Sequence, residues 1–414
     1  LWGYKYSNFE NSMVSVAEAE KIIESQAMDY GNELVPFEKA LGRVLAEDLH
    51  ADRDLPPCNR VTMDGIAIRF SSFENGIRVY KDKAIIAAGE VPTDITFEDE
   101  CVEIMTGAAL PDTTDTVIRY EDVEIQNGLA TIVTDEIKKG QNLHLKGRDK
   151  KQGDIVAKAG QVIGPALVSM AASVGKIELL VKKLPRVVII TTGDELVDVG
   201  DQPNPYQVRR SNSYTIKAVL EQHALQAEML HIPDDLEITR KIIKESLKYY
   251  DVLLMSGGVS MGKFDYVPRV LDELVVTKLF HKVQQRPGKP FWFGKDNSGV
   301  LVFAFPGNPV STFLCLHRYF LPWFKQIPNS KFQIQKLYAV LDSDVTFAAP
   351  MQYFMQVRVG VNEQGQMIAT PDEGNGSGDF ANLLDSDAFM ELPMGKVNFK
   401  RGEVYRLWPF KQIV

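Results

Sequence analysis

Cysteine is nearly absent from this 414-residue chain: only Cys58, Cys101 and Cys315 occur, odd in number and far apart. No CxxC is present, so neither a disulfide framework nor a thiolate metal site is expected, and a reducing compartment is favoured. The six histidines are scattered without i, i+4 pairing and no HExxH occurs. Any bound metal would therefore be held by oxygen ligands. No apolar run approaches the length of a membrane-crossing helix, and the first residues, with Tyr4, Lys5 and Tyr6, lack the apolar core of a secretion signal. A cytoplasmic protein without a membrane partner is expected. The net charge of -9 argues against a nucleic-acid backbone as main partner, while leaving room for a local basic pocket. Internal repeats and low-complexity tracts are also missing.

What is present is an ordinary globular composition, 45% hydrophobic and 24% charged, in a chain too long for one core. Ser15-Val-Ala-Glu18 forms a capping box ahead of helically spaced Val16, Ala19, Ile22, Ile23 and Ala27. Pro36 to Leu41 reads as a second helix that breaks at Gly42 and resumes through Asp48. Short β segments follow between Ile66 and Val133: 66–69, 83–88, 101–104, 116–119 and 131–133. Gly164 to Gly175 is a small-residue helix, with Pro165 at its first position. Lys182-Lys-Leu-Pro185 reads as a linker. Beyond it strands and helices alternate: strands 186–190, 226–232, 252–255, 276–280 and 300–304, and helices 213–222, 235–249, 264–274 and 309–324. Gln326 to Ser330 reads as a second linker before a β-rich tail. The expected fold is an α/β multidomain protein. Its doubly wound, mostly parallel sheet lies between a β-rich N-terminal half and a small all-β C-terminal domain.

The chain is organised around Asp251-Val-Leu-Leu-Met-Ser-Gly-Gly-Val-Ser-Met-Gly262, a buried-type strand emptying into a Gly/Ser loop ahead of a helix. Such loops bring backbone N–H groups against anions. Other strand ends are also polar: Thr191-Thr-Gly-Asp-Glu195, Pro233-Asp-Asp235, Arg286-Pro-Gly-Lys-Pro290 and Phe305-Pro-Gly-Asn-Pro-Val-Ser311. On a doubly wound sheet these converge on one rim. Asp194 or Glu195, with Asp234 and Asp265, beside an anion cradle suit a Mg²⁺ bridging carboxylate and phosphate. Lys289 or Arg286 would neutralise a further anion. Taken singly, Asp234 is most simply a helix cap, Asp194 a turn residue and Lys289 a solvated charge. Their convergence favours a site for a phosphorylated ligand.

As a set these residues resemble the molybdopterin molybdenumtransferase family, the bacterial MoeA type, similar to the E domain of gephyrin. The resemblance rests on Leu41-Gly-Arg-Val-Leu-Ala-Glu-Asp48, Leu55-Pro-Pro57, Met63-Asp-Gly65 and Met105-Thr-Gly-Ala108. It continues through Thr192-Gly-Asp-Glu-Leu196, Ser256-Gly-Gly-Val-Ser260, Pro287-Gly-Lys-Pro290 and Pro306-Gly-Asn-Pro-Val-Ser311, in this order. It implies four domains: a discontinuous small domain (13–50 and 147–184), a β-rich insertion (51–146), a molybdopterin-binding α/β domain (185–328) and a C-terminal β domain (329–414). It also implies a homodimer whose sites are completed by the partner's N-terminal half. The implied reaction takes adenylylated molybdopterin and molybdate to molybdenum cofactor and AMP, with Mg²⁺ or another divalent cation. A molybdopterin adenylyltransferase would hand over the substrate.

Carried over by motif, Asp64, Thr106 and Asp149 resemble the partner-side residues, and Glu195, Asp234 and Asp265 the metal and nucleotide group. Ser256, Gly257, Gly258, Val259 and Ser260 resemble the phosphate loop. Gly193, Asp194, Ser211, Asn212, Arg286, Pro306, Gly307, Asn308, Pro309 and Ser311 are expected ligand-binding positions. Lys289, Arg358 and Ser377 resemble an oxyanion pocket for molybdate. Three departures stand out. Arg286 occupies a usual Lys position, Asn59-Arg-Val-Thr62 replaces Asp-Asn-Ser-Ala, and Arg210 stands where an acid is common. The rival readings are an adenylyltransferase of the same fold and a gephyrin-like scaffold.

Overall fold

The computed structural model describes residues 13–259, 265–326, 336–372 and 374–413. Three six-stranded sheets organise it. The sheet that carries the site runs Ala227–Ile232, Val187–Thr192, Val252–Ser256, Leu301–Phe305, Trp292–Lys295, Thr277–His281. Its first four strands are parallel, and Trp292–Lys295 is antiparallel to both neighbours. That antiparallel strand was not legible in advance, because it is short and ends on Gly294-Lys295. A Cβ on Gly294 would lie 2.4 Å from the Thr277 carbonyl oxygen and 2.5 Å from the Trp292 ring, so glycine permits the close approach.

Alternation along the central strands explains why both faces are covered. Val187, Ile189, Val252, Leu254, Leu301 and Phe303 point into one core, and Val188, Ile190, Leu253, Met255 and Val302 into another. The first core also takes Val16, Ala19 and Ile23. Helix Val16–Glu24 therefore packs on the α/β sheet despite its distance in sequence. Its capping box is formed, with Ser15 N–H donating to Glu18 Oε2 at 2.8 Å and Glu18 N–H to Ser15 Oγ at 3.2 Å.

The helix expected over Pro36–Asp48 is not formed. Asn32–Pro36 is instead a strand paired with Glu178–Lys182, followed by one short turn, Phe37–Lys39. Gly42 sits at φ +79° and donates its N–H to the Ile163 carbonyl, which turns the chain into an extended stretch. Leu45 and Leu49 then join Ala157, Ile163, Leu179 and Val181 in one core. The helix Pro165–Ser173 forms with Gly164 as its cap and Pro165 at its start.

The N-terminal sheet runs Thr116–Arg119, Gly65–Ile68, Glu100–Ile104, Val79–Ile86, Leu129–Ile132, Val123–Gln126. Ile66 and Ile68 enter one core and Ala67 the other, so this sheet too is buried on both faces. In the C-terminal sheet, Gln352–Val361 pairs with both Met367–Pro371 and Ala388–Leu392, which curls it into a small barrel around Met355, Val357, Met390 and Leu407. A strand from the α/β unit, Gln285–Arg286, adds to the barrel beside Gln352–Tyr353.

The helix expected over 309–324 is a composite: Pro309–Cys315, a wide π turn at Leu316–Phe320, then Leu321–Lys325. Pro322 lies in this run and has no N–H for the carbonyl four residues back, so the ordinary ladder is interrupted. The expected linker at 327–330 lies outside the described residues.

Candidate active site

A cleft of about 820 Å³ opens at the carboxyl ends of the parallel strands and extends onto the C-terminal barrel. Four of those ends line it, through Thr192 and Gly193, Asp234, Gly257 and Gly258, and Pro306 to Asn308. The backbone explains the glycines. Gly257 and Gly258 have φ of +93° and +65°, and side chains there would meet Thr192, whose Oγ1 lies 2.6 Å from a Cβ on Gly258. Ser260 and the rest of the loop to Gly262 lie outside the described residues. Val259 is buried and belongs to the sheet's second core.

One end of the cleft is acidic. Glu195, Asp234 and Asp265 line it, and Asp194 accepts the Asp234 N–H at 3.0 Å from just outside. Burial first, then the negative charges of Asp194 and Asp265, push the Asp234 carboxyl above its ordinary range. Among the described residues, however, no three His, Cys, Asp or Glu side chains converge closely enough to enclose a metal ion. The three carboxylates are thus no ready-made cage. Their hard oxygens fit a divalent ion that takes its remaining ligands from a substrate's phosphates.

The other end carries the cations among polar groups. Arg286, Lys289, Ser311 and Ser377 line it with Met351, Tyr353, Gln356 and Asn375, and with Asp372, whose carboxylate accepts the Ser386 hydroxyl at 2.9 Å. Lys289 makes no ion pair or side-chain hydrogen bond among the described residues, so its charge is available to an anion. Arg286 is likewise without a carboxylate and lies 5.9 Å from the centre of the Phe347 ring. Arg358 sits on the exposed face of strand Gln352–Val361, one step beyond Gln356 on the same side, and does not line the cleft.

Several residues expected to touch ligand also hold the rim together. Asn212 donates from Nδ2 to Ser256 Oγ at 2.9 Å and to the Gly307 carbonyl at 2.7 Å. Thr312, which spacing did not single out, donates to the Pro306 carbonyl at 2.5 Å and faces Ser256 Oγ at 3.3 Å. Ser211 stands at the cap position of helix Asn212–Glu221 without a side-chain capping bond, and Pro309 is the first residue of helix Pro309–Cys315. The missed lining residues include Thr192, a buried hydroxyl without a hydrogen-bond partner among the described residues, and Gln285. An orphaned buried hydroxyl is a structural signal that residue type alone does not carry.

Asp64, Thr106 and Asp149 lie on the exposed surface of the N-terminal half, away from this cleft. Asp64 accepts the Thr106 N–H at 2.6 Å, and bonds from Thr106 hold its carboxyl below the usual range. Asp149 is 2.9 Å from His144 Nε2. The departures in this region have places too: Arg60–Val61 pairs with Leu143–His144, and Asn59 accepts the Lys146 N–H at 3.0 Å. Arg210 is neutralised by Asp198. With burial, it lowers the pKa of His231.

A mixed α/β sheet with its cleft at the strand ends, closed by a β barrel and preceded by a β-rich half, defines a molybdopterin-site architecture of three matched regions. Residues 14–175 match the MoeA N-terminal region (domain I and II), 188–326 a probable molybdopterin binding domain, and 338–410 the MoeA C-terminal region (domain IV). The chain belongs to the MoeA family. It is 37% identical over 396 residues to the molybdopterin molybdenumtransferase of Synechocystis sp., covering 95% of this chain and 99% of that one. It is 32% identical over 396 residues to the same-named protein of Staphylococcus aureus, covering 94% of each. The molybdopterin biosynthesis MoeA protein of Pyrococcus horikoshii superposes with a TM-score of 0.80 at 29% identity, covering 97% of this chain and 100% of that one.

Proposed function

We propose that this cleft transfers molybdenum from molybdate to adenylylated molybdopterin and releases AMP. Family membership makes the chain a transferase of molybdenum cofactor biosynthesis, and the adenylyltransferase and scaffold readings are not favoured. The observation that supports the finer reading is the polarity of the cleft. An acidic end beside a glycine turn suits a pyrophosphate with its metal, and a cationic end with hydroxyls suits a tetrahedral dianion.

In this reading Glu195, Asp234 and Asp265 hold Mg²⁺ or another divalent cation together with the phosphates. The ion, when bound, withdraws charge from the pyrophosphate. Gly257 and Gly258 let backbone approach the phosphates. Lys289 and Ser377 take molybdate, and Arg358, which stands outside the lining, would join them by reaching over from the barrel face. Asp64, Thr106 and Asp149 serve the site of the other subunit in a homodimer, supplied by an adenylyltransferase in the cytoplasm. Among the described residues no helix is long and apolar enough to cross a membrane.

Incubation with adenylylated molybdopterin, Mg²⁺ and molybdate should release AMP, and omission of molybdate should suppress it. ATP with molybdopterin should give no adenylylated product. Adenylylation in that second assay, with no AMP in the first, would overturn the reading.

A further inference from the structure

The turn that carries Arg286 and Lys289 is fixed from beneath by a buried polar chain that meets the cleft only at Gln285 and lies otherwise in the core. Gln285 is fully buried and its Nε2 donates to the Gly288 carbonyl at 3.3 Å. The Tyr319 hydroxyl, from the π turn, donates to Gln285 Oε1. Cys315 Sγ lies 3.6 Å from Gln285 Nε2 and closes the packing below. Gly288 adopts φ +89°, and a Cβ there would stand 2.6 Å from Gln285 Nε2 and 2.9 Å from Cys315 Sγ. The turn thus rests directly on these side chains. Farther along, the Lys289 carbonyl accepts the N–H groups of Val283 and Phe291, both at 2.9 Å, so the base of the turn is tied on both sides.

A buried amide and phenol are costly unless each is paired, so apolar side chains would fill this space more simply if packing were the only requirement. The pair instead spends its hydrogen bonds on a glycine carbonyl one residue from the unpaired ammonium in the cleft.

We propose that the Tyr319–Gln285 pair is a positioning element for anion recognition, holding Gly288 so that Lys289 faces the oxyanion. This rests on the reading that Lys289 binds molybdate. A charge-assisted bond to a small dianion depends steeply on placement, because the anion offers almost no apolar surface to compensate. Both are buried and act through the turn.

The test measures AMP release against molybdate and against adenylylated molybdopterin in Tyr319→Phe, Gln285→Met and Lys289→Ala, with a melting curve for each. Tyr319→Phe keeps the ring and Gln285→Met nearly the volume, so either one that folds suffices. Both should raise the molybdate concentration for half-maximal activity by about tenfold, with less than about a twofold change for the pterin substrate. A purely structural role would lower the melting temperature, or the active fraction, and leave both half-saturation values unchanged; that result overturns the proposal. Lys289→Ala separates the two ideas. If it leaves the molybdate requirement unchanged, the anion-site reading itself fails. If it raises the requirement while Tyr319→Phe and Gln285→Met do not, only the positioning role fails.

Discussion

Asn308 donates from Nδ2 to Ser377 Oγ at 2.8 Å, and that bond crosses from the α/β sheet to the C-terminal barrel at the mouth of the cleft. The Ser377 carbonyl accepts the Val310 N–H at 3.2 Å on the same seam. The hydroxyl proposed to meet molybdate is therefore oriented by Asn308, an expected ligand-binding position at the end of strand Leu301–Phe305.

The acidic end gives the sharpest expectation for chemistry. Asp265→Asn removes a charge at nearly constant volume, so the fold should persist while AMP release falls by about a hundredfold or more. Circular dichroism and a turnover assay on the same preparation check both halves. Turnover equal to the native protein's would remove Asp265 from the proposed metal group.

Arg358 lies outside the cleft lining but on the same strand face as Gln356. If it reaches the anion, Arg358→Ala should raise the half-maximal molybdate concentration about ten- to hundredfold, in line with one lost charged hydrogen bond. Sulfate, of like charge and shape, should compete less with the mutant than with the native protein. A fall in melting temperature at constant molybdate requirement would confine Arg358 to the barrel surface.

Asn212 makes an opposite kind of prediction. Its amide spans Ser256, Gly307 and Thr312, so Asn212→Ala should cost about 1–3 kcal/mol of stability. Urea unfolding measures this. Unchanged stability with lost nucleotide binding would return Asn212 to the ligand.

Shared sites predict complementation. Asp64→Ala and Asp265→Ala proteins, each inactive, should regain activity after mixing and subunit exchange, because each mixed dimer retains one site with both halves native. Exchange verified by native mass spectrometry with no recovered activity would refute sharing.

Acid sensitivity should come from the helix end near Phe324. Burial, then Lys325 nearby, lowers His223 to about 4, and burial lowers His317 to about 3. The unfolded chain binds these protons near the ordinary histidine value of about 6.5 while the folded chain does not, so stability is full above that pH and declines as pH falls toward 4. His223→Gln should reduce the slope of melting temperature against pH in this window, by less than half because burial also lowers His231 and His281. An unaltered slope would place the acid-sensitive groups elsewhere.

The α/β alternation and the polar strand ends were legible because buried parallel strands are continuous apolar runs and their ends face one rim. Thr192, Gly193, Asp234, Gly257, Gly258 and Gly307 meet there. The helix expected across Gly42 failed because the chain turns at Gly42 and then bridges Val44 to Val162 and Leu45 to Val181, far along the chain. Tertiary pairing of that range leaves no local mark. The bond between Asn212 and Ser256 was equally hidden, since a polar side chain near a rim reads alike whether or not it also braces a neighbouring loop.

The strand Gln285–Arg286 has a consequence for how this protein can vary. It is part of the chain of the α/β unit yet hydrogen-bonds in the sheet of the barrel. A barrel grafted from a distant relative would have to supply a matching edge at Gln352–Tyr353, or the Arg286–Lys289 turn would lose one of its two moorings. Insertions that swing the barrel would likewise drag the cations across the cleft instead of simply widening it. Change is therefore cheapest far from that seam, and the two units should be inherited as one piece.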